Sequence, residues 1–308
     1  MILCITPNPA IDRTLIVPNL ALGQVHRATQ TIVAAGGKGL NVARTIRTLG
    51  GEPLCLGFAG GHTGHLLADL AQQEELNSAW TWTNFETRTC TILVSQNGDA
   101  TEIDEPGMSV SDAEWSHLRE EVQKHLLSVS SICVCGSLPP NSSVDDLRKL
   151  LSVLVGSGKP VWVDTSGPAL DTVLNFPGIC IKVNGNEISK PLGFEVKDVQ
   201  SAQRALTILV ERNLTACAIT LGAAGALLVT ESGRWQAQGP EVHTVSSVGS
   251  GDSFLGGLLC GLDEGRVWPE ALRDAVAAGS ANALSAGGGQ FTSAEFKRLR
   301  EQIKIQAW

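Results

Sequence analysis

The sequence predicts an α/β fold in which a mostly parallel sheet is flanked by helices and a small β-sheet forms a lid. Short apolar runs, typical of strands covered on both faces, alternate with longer stretches that have helical spacing. Such alternation is typical of parallel sheets whose strands are connected by helices. Two further stretches, over about 12–33 and 80–105, interrupt the alternation and predict the separate small sheet.

Local signals support the predicted elements one by one. Ser111 with Glu114, and Thr292 with Glu295, form the capping-box pattern of a helix start. Gly50 follows a helical run where a C-cap is expected. Strands are expected at 2–6, 54–58, 132–135, 161–164, 179–182, 217–220 and 226–230, and helices at 40–49, 111–128, 143–155, 199–212, 252–262 and 269–286, with a last helix beginning at 292.

The two interrupting stretches have a different pattern from the rest of the chain. The first is polar with scattered Val and Ile, and the second is rich in Thr and β-branched residues around Asn97-Gly98, a pair typical of a hairpin turn. A small sheet hinged over the main layer would suit a lid that keeps water from a reaction. An edge hairpin of the main sheet is the alternative.

Composition and charge limit the function classes. With 43% hydrophobic and 18% charged residues among 308, the chain can build a large core. A net charge of −8 argues against nucleic acid or an anionic membrane as partner, so an anionic substrate must meet a local cluster of Lys and Arg. The first residues contain no basic leader and no apolar run reaches about 20 residues, which predicts a cytoplasmic protein without a membrane partner.

Cysteine and histidine usage points away from disulfides and from a His/Cys metal site. The eight cysteines are dispersed without a Cys-x-x-Cys pair, and most lie in apolar runs, which predicts reduced thiols that pack as small hydrophobic side chains. His62 and His65 are three residues apart, but no ligating residue nearby completes a site.

The most informative segment is Gly249-Ser250-Gly251-Asp252, which precedes an apolar helical run. A glycine turn at a helix start leaves backbone N–H groups free, and the helix dipole adds positive charge, so phosphate binds there. A carboxylate would repel a phosphate bound beside it, so its presence here indicates a role in the reaction. We interpret Asp252 as a general base that takes a proton from an attacking hydroxyl while the N–H groups hold the transferring phosphoryl group. A plain turn with a capping Asp is the alternative.

A second glycine cluster, Gly36-Gly37-Lys38-Gly39, also precedes a helix but lacks the spacing of a nucleotide P-loop. Its glycines allow a ligand to approach the backbone, Lys38 adds a cation, and Asn41 can donate to a sugar hydroxyl. Asp12 follows the first strand, at the edge where open α/β sheets bind ligands. The alternatives are a loop with a solvated lysine and a capping Asp.

Polar residues also follow a later strand. Asn184 and Glu187 are three apart and share a face of a helical turn, an arrangement that suits Mg²⁺ held through its waters and through substrate phosphates. Lys182 can meet phosphate charge. A polar pair at a helix start is the alternative. The turn 222–225 either binds phosphates or is a hairpin, and Ser137 offers a hydroxyl at another strand end.

Seven segments occur in a fixed order along the chain: Asn8-Pro9-Ala10-Ile11-Asp12, Gly36-Gly37-Lys38-Gly39-Leu40-Asn41, Thr87-Arg88-Thr89, Gly136-Ser137-Leu138-Pro139-Pro140, Lys182-x-Asn184-x-x-Glu187, Leu221-Gly222-x-x-Gly225 and Gly249-Ser250-Gly251-Asp252. In this order they closely resemble the ribokinase-like (PfkB) family of carbohydrate kinases, over nearly the whole chain. Gly185-Asn186 and Asn141-Ser142 depart from the family pattern.

The resemblance implies a ribokinase-like fold with one kinase domain over 1–308, and phosphoryl transfer from ATP. Asp252 would be the catalytic base, and Gly249, Ser250 and Gly251 would form the anion hole. The resemblance further implies that Asp12, Gly37 and Asn41 bind the sugar, that Arg88, Lys38 and Ser137 bind the phosphate already on it, that Lys182, Asn184, Thr220, Gly222, Gly225, Gly251 and Asn282 bind ATP, and that Asn184 and Glu187 hold Mg²⁺ through water.

The segments 101–107 and 163–167 look most like the branch of the family that phosphorylates ketohexose phosphates, with fructose 1-phosphate as the expected substrate. Tagatose 6-phosphate and fructose 6-phosphate are the alternatives within the class. A non-catalytic sugar-phosphate-binding regulator is the alternative from another class. A Rossmann dehydrogenase fits poorly, because no Gly-x-Gly-x-x-Gly follows the first strand. The edges of the lid sheet could pair two copies in a homodimer.

Overall fold

The computed structural model describes residues 1–95 and 100–308. The strands of this part of the chain form two separate sheets. In chain order they are β1 (Ile2–Thr6), β2 (Ala10–Val17), β3 (Gln30–Gly36), β4 (Pro53–Gly60), β5 (Asn77–Thr83), β6 (Arg88–Ser95), β7 (Ala100–Asp104), β8 (Ser131–Cys135), β9 (Val161–Asp164), β10 (Cys180–Asn184), β11 (Ala216–Thr220), β12 (Ala226–Thr230), β13 (Gly233–Gln238) and β14 (Lys304–Ala307).

Two helices begin at the capping signals that the sequence predicted. Ser111 and Thr292 each accept a hydrogen bond from the residue three positions on, and Glu114 and Glu295 complete the boxes. The helices are α1 (Lys38–Thr48), α2 (Gly61–Gln73), α3 (Asp112–His125), α4 (Val144–Gly156), α5 (Gly167–Val173), α6 (Gly185–Leu192), α7 (Val199–Val210), α8 (Ser250–Asp263), α9 (Trp268–Asn282) and α10 (Ser293–Arg300).

The large sheet has ten strands in the order β14-β13-β12-β11-β10-β9-β8-β1-β4-β5. The seven neighbouring strands β11, β10, β9, β8, β1, β4 and β5 are all parallel to one another. At the β11 edge, β12, β13 and β14 extend the sheet as antiparallel strands. Alternate residues of β1 belong to two different hydrophobic clusters, so helices cover both faces of this sheet. The predicted mostly parallel sheet is therefore confirmed. All eight cysteines are free and buried, as the sequence predicted.

The small sheet has four strands in the order β3-β2-β6-β7. It draws on both interrupting stretches, but the second boundary was wrong, because Trp80–Thr83 belong to β5 and pair in parallel with β4 of the large sheet. Trp80 lies opposite Gly57 of β4, and its ring packs against that glycine of the large sheet. The predicted Asn97-Gly98 turn lies outside the described residues.

Helix α8, which carries Asp252, lies between α1 and α9 and approaches both through glycines. A Cβ atom on Gly256 would lie 2.7 Å from Thr45 of α1, and one on Gly257 would lie 2.7 Å from the Asp274 carbonyl oxygen of α9. This close packing fixes the start of α8 relative to α1. Within residues 1–95 and 100–308, no helix is both long and apolar enough to cross a membrane.

We expect Gly257→Ala to lower the free energy of unfolding by about 1–3 kcal/mol, because the added methyl overpacks the contact between α8 and α9. Gly156→Ala is the matched control, since nothing lies within 4 Å of a Cβ at Gly156 at the end of α4 and alanine favours helix there. The midpoint of urea unfolding, followed by circular dichroism, measures the effect of both substitutions. An unchanged midpoint for Gly257→Ala would contradict the close approach.

Candidate active site

A cleft of about 450 Å³ is lined by residues from both sheets. It lies at the carboxyl ends of the parallel strands, where open α/β sheets bind ligands. Most residues singled out in the sequence meet here, although they are spread over the chain: Asp12, Gly37, Lys38, Asn41, Arg88, Ser137, Lys182, Asn184, Glu187, Gly249, Gly251 and Asp252.

Asp252 lies in the first turn of α8 and is 6% exposed. Gly249 precedes the helix with a left-handed backbone (φ 76°) and has no side chain that could cap it. First-turn N–H groups have no partner inside a helix, so this start keeps donors for a ligand. Asn41 donates a 2.8 Å hydrogen bond from Nδ2 to Oδ2 of Asp252, which fixes the carboxylate at one end of the cleft.

Asp252 and Asp12 are among the carboxyl groups of the cleft whose pKa is raised. Burial raises the pKa of Asp252, while the ammonium of Lys38 opposes the shift and the Asp164 carboxylate adds to it. Burial also raises the pKa of Asp12 to about 7, against the lowering effect of Arg44. A raised pKa makes a carboxylate a better proton acceptor near neutral pH.

An ion cluster lies below the glycine turn. The buried Asp164 carboxylate accepts 2.7 Å bonds from Lys38 and from Lys182, and Lys38 also donates to Glu187 at 3.1 Å. Burial alone would lower the pKa of Lys38, but the Asp164 and Glu187 carboxylates raise it well above the usual value. The cleft floor therefore holds two cations whose charges are partly balanced before any ligand arrives.

Lys182 lies directly against the glycine turn. A Cβ atom on Gly251 would be 2.6 Å from Lys182 Nζ, so a larger residue there would displace the ammonium group. Asp164 was not singled out from the sequence as a site residue. It ends β9, and the rule that drew attention to Asp12, a polar residue directly after a buried strand, would have found it.

Asn184 and Glu187 form a capping box at the start of α6. Asn184 Oδ1 accepts from the Glu187 amide at 2.8 Å, and Glu187 Oε2 accepts from the Asn184 amide at 2.9 Å. This geometry matches the alternative drawn from the sequence. The oxygens keep further lone pairs, so the two residues fit Mg²⁺ held through waters and phosphates rather than in a protein cage. Within the described residues no group of three or more His, Cys, Asp or Glu side chains could hold a metal ion.

Arg88, at the start of β6, faces the cleft from the small sheet. Its two terminal nitrogens donate to the Glu105 and Asn8 carbonyl oxygens at 3.1 and 3.2 Å. Its buried Nε has no hydrogen-bond partner, and neither has Oδ1 of Asn8, whose Nδ2 donates to Ser137 at 3.2 Å. Buried polar atoms without partners are costly, which points to a ligand that completes them.

Five predicted ATP or anion-hole residues do not line the cleft: Ser250, Thr220, Gly222, Gly225 and Asn282. Thr220 lies beside Asn184 in the register of β10 and β11, and 222–224 form an exposed 3₁₀ turn between antiparallel strands, as in a hairpin. A Cβ on Gly225 would lie 2.0 Å from the Ala237 carbonyl oxygen, so packing alone requires glycine there. Nucleotide binding by these residues stays a prediction.

Asn282 also lies outside the cleft, and its expected place beside a nucleotide stays a prediction. The residue is fully buried, its Nδ2 donates to the Val248 carbonyl oxygen at 2.7 Å, and its Oδ1 accepts from the Gly289 amide at 2.6 Å. Because its amide group is already engaged, Asn282 supports the glycine turn from behind.

A glycine turn at a helix start, a buried carboxylate in the first turn and cations beneath them are the parts of a phosphoryl-transfer site. The fold and this site define a phosphotransferase. Residues 5–294 match the pfkB family carbohydrate kinase model. The chain therefore belongs to the pfkB family of carbohydrate kinases, as the order of its segments predicted.

Relatives of known structure or function agree with this assignment. The chain is 29% identical to tagatose-6-phosphate kinase of Staphylococcus epidermidis over 99% of both chains. It superposes on phosphofructokinase-2 of Escherichia coli in complex with fructose-6-phosphate with a TM-score of 0.88, at 28% identity over 98% of each chain. The tetrameric inhibited form of that protein gives a TM-score of 0.87 at 29% identity over 98% of each chain. The ribokinase-like fold is confirmed.

Proposed function

We propose that this protein transfers the terminal phosphoryl group of ATP to the free primary hydroxyl of a ketohexose phosphate. The observation that carries the proposal is that one cleft brings together two chemically different groups. Asp252, at a helix start, and Arg88, on the small sheet, both line it, and the buried Nε of Arg88 has no hydrogen-bond partner. A sugar phosphate suits such a cleft, because its hydroxyl needs a base and its phosphate needs a fixed cation.

In this mechanism Asp252 accepts the hydroxyl proton as the sugar oxygen bonds to phosphorus, and the bond to the departing ADP breaks. The amide groups of Gly249 and Gly251, which both line the cleft, hold the phosphoryl oxygens, and Lys182 adds positive charge behind them. Asn184 and Glu187 would hold Mg²⁺, which when bound neutralises phosphate charge. The small sheet would close as a lid over the bound sugar.

Fructose 1-phosphate is the substrate we propose first, on the resemblance of the segments 101–107 and 163–167. The named relatives favour 6-phosphates, since one is a tagatose-6-phosphate kinase and another was solved with fructose-6-phosphate. In both kinds of substrate the free primary hydroxyl and the phosphate lie at opposite ends of the ketohexose. A homodimer through the small-sheet edges β3 and β7 stays a prediction.

The test is ADP release from ATP with Mg²⁺ and fructose 1-phosphate, fructose 6-phosphate, tagatose 6-phosphate or free fructose. A preference for fructose 1-phosphate supports the first proposal, and a preference for a 6-phosphate replaces the substrate but keeps the mechanism. Calorimetric binding of a sugar phosphate without ADP release would instead favour the non-catalytic regulator.

We expect Arg88→Gln to lower kcat/KM for the preferred sugar phosphate by about tenfold to a hundredfold, mainly through KM, because charge-assisted hydrogen bonds contribute about 1.5–3 kcal/mol. The loss with free fructose should be much smaller. Arg234→Gln is the control, since Arg234 is exposed on β13 of the large sheet. Equal losses with phosphorylated and free sugar would contradict the role of Arg88 as the phosphate ligand.

A further inference from the structure

Arg44 is a buried arginine one helical turn after Asn41 on α1, and it does not line the cleft. Its guanidinium group makes four hydrogen bonds to three other parts of the fold and to α1 itself. Nε donates to Glu74 Oε2 (2.8 Å), Nη1 to Asn41 Oδ1 (2.8 Å) and to the Gly288 carbonyl oxygen (2.6 Å), and Nη2 to the Ala35 carbonyl oxygen (2.7 Å).

Arg44 determines the orientation of the Asn41 side chain. Arg44 can only donate and the Asp252 carboxylate can only accept, so the Asn41 side chain can satisfy both in one orientation alone. Its oxygen must face Arg44 and its NH₂ group must face Asp252. The reversed amide would turn oxygen against carboxylate and NH₂ against guanidinium. Arg44 therefore determines which atom of Asn41 meets the proposed base.

Arg44 also contacts the backbone that packs against the glycine turn. Arg44 donates a hydrogen bond to the Gly288 carbonyl oxygen. Gly288 packs closely against Gly249, since a Cβ atom on Gly249 would lie 2.4 Å from the Cα atom of Gly288. The neighbouring Gly289 amide donates to Asn282, which in turn bonds Val248 at the turn. The same guanidinium group thus supports the backbone that precedes α8.

Arg44 and Glu74 together bind the end of β3 in the small sheet. Arg44 binds the Ala35 carbonyl oxygen while Glu74 accepts from the Ala35 amide at 3.0 Å, so the pair holds both backbone groups of this β3 residue. Ala35 lies opposite Ile11 on β2, next to Asp12. One partly buried ion pair therefore joins the small sheet, α1 and the glycine turn.

We propose that Arg44 is a positioning residue for phosphoryl transfer: it orients Asn41 toward Asp252 and holds the glycine turn and the end of β3 in the arrangement that the reaction needs. The proposal deepens the proposed function and rests on it for its kinetic part. Its effect reaches the reacting atoms only through Asn41 and the backbone of the turn.

The kinetic test is Arg44→Lys, which keeps the charge but cannot make all four bonds. We expect kcat to fall by on the order of tenfold to a hundredfold with a much smaller change in KM, as when a reacting group is displaced by about 1 Å. Arg47→Lys is the matched control, because Arg47 is three residues further on the same helix and forms a partly exposed pair with Glu75. It should leave kcat unchanged.

A double-mutant cycle separates positioning from general support of the fold. In an Asn41→Ala background, Arg44→Lys should lower kcat by less than about threefold, because its main route to Asp252 is already lost. Independent, multiplicative losses would overturn the proposal, as would an unchanged kcat in a folded Arg44→Lys protein. If Arg44→Lys does not fold, Glu74→Gln, which loosens the guanidinium from one side, is expected to give the same kcat-specific loss in milder form.

A measurement without substrate keeps this proposal distinct from the proposed function. In protein labelled at asparagine, the NH₂ group of Asn41 should give NMR signals protected from solvent exchange in the wild type and in Arg47→Lys, but not in Arg44→Lys. Protected signals in Arg44→Lys would refute the orienting role even in a protein that phosphorylates no sugar tested. Lost protection together with an inactive wild type would instead refute only the proposed function.

Discussion

Asp252→Asn is expected to lower kcat by on the order of a hundredfold or more without unfolding the protein. The amide cannot take the hydroxyl proton, yet its oxygen can still accept the hydrogen bond from Asn41. Because burial raises the pKa of Asp252, the ionised carboxylate at neutral pH opposes folding. The unfolding free energy of the Asn variant should therefore be unchanged or higher.

Three measurements check this prediction: ADP release with the preferred sugar phosphate, ATP binding by calorimetry and the urea midpoint. Asp263→Asn at the other end of α8 is the control and should leave all three unchanged, since its carboxylate is partly exposed and 4.0 Å from its nearest cation, the terminal amine. Turnover within about twofold of the wild type in Asp252→Asn would refute the assignment of the base.

Asp164→Asn is expected to have the opposite effect on stability, with a loss of about 3–5 kcal/mol in the free energy of unfolding. Burial alone would raise the pKa of Asp164, but Lys182 and Lys38 lower it below the usual carboxyl value. A lowered pKa means that the carboxylate stabilises the fold above its unfolded pKa, and hence at neutral pH. Removing its charge leaves the ammonium group of Lys182, which is 3% exposed, without a counter-ion.

The urea midpoint at pH 7 measures this loss. The matched control is Asp145→Asn, since Asp145 pairs with Arg148 but its side chain is 68% exposed, and such pairs contribute less than about 1 kcal/mol. The difference between wild type and Asp164→Asn should narrow as the pH falls through the lowered pKa of Asp164. A loss no larger than that of Asp145→Asn would mean that the two lysines are neutralised by other groups.

Elements set by local interactions were predictable from the sequence. The capping boxes at Ser111 and Thr292 join groups three residues apart, so the pattern and the structure coincide. The parallel strands were recognised because burial on both faces requires continuous apolar runs. The assignment of 80–83 failed because a β-rich run fits either sheet, and only the pairing of β5 with β4 distinguishes them.

Site residues were predictable where a segment combines its own chemistry with a turn. Gly249 to Asp252 is such a segment, and Asp252 does lie in the first turn of a helix at the cleft. Asn184 and Glu187 carried an ambiguous signal, because a capping box and a magnesium-binding pair have the same spacing. Asn282 carried an ambiguous signal as well, because an asparagine suits a ligand as well as a backbone contact.

The sequence by itself determined the family, the parallel sheet, the helix start that carries Asp252 and the residues gathered around it, because each depends on short segments with a fixed internal geometry. The tertiary structure alone decided which of these groups touch. The Lys38–Asp164 and Asn41–Asp252 bonds join residues 126 and 211 positions apart. Contacts of that range depend on how whole helices and strands pack, and that packing places Arg44 behind the proposed base.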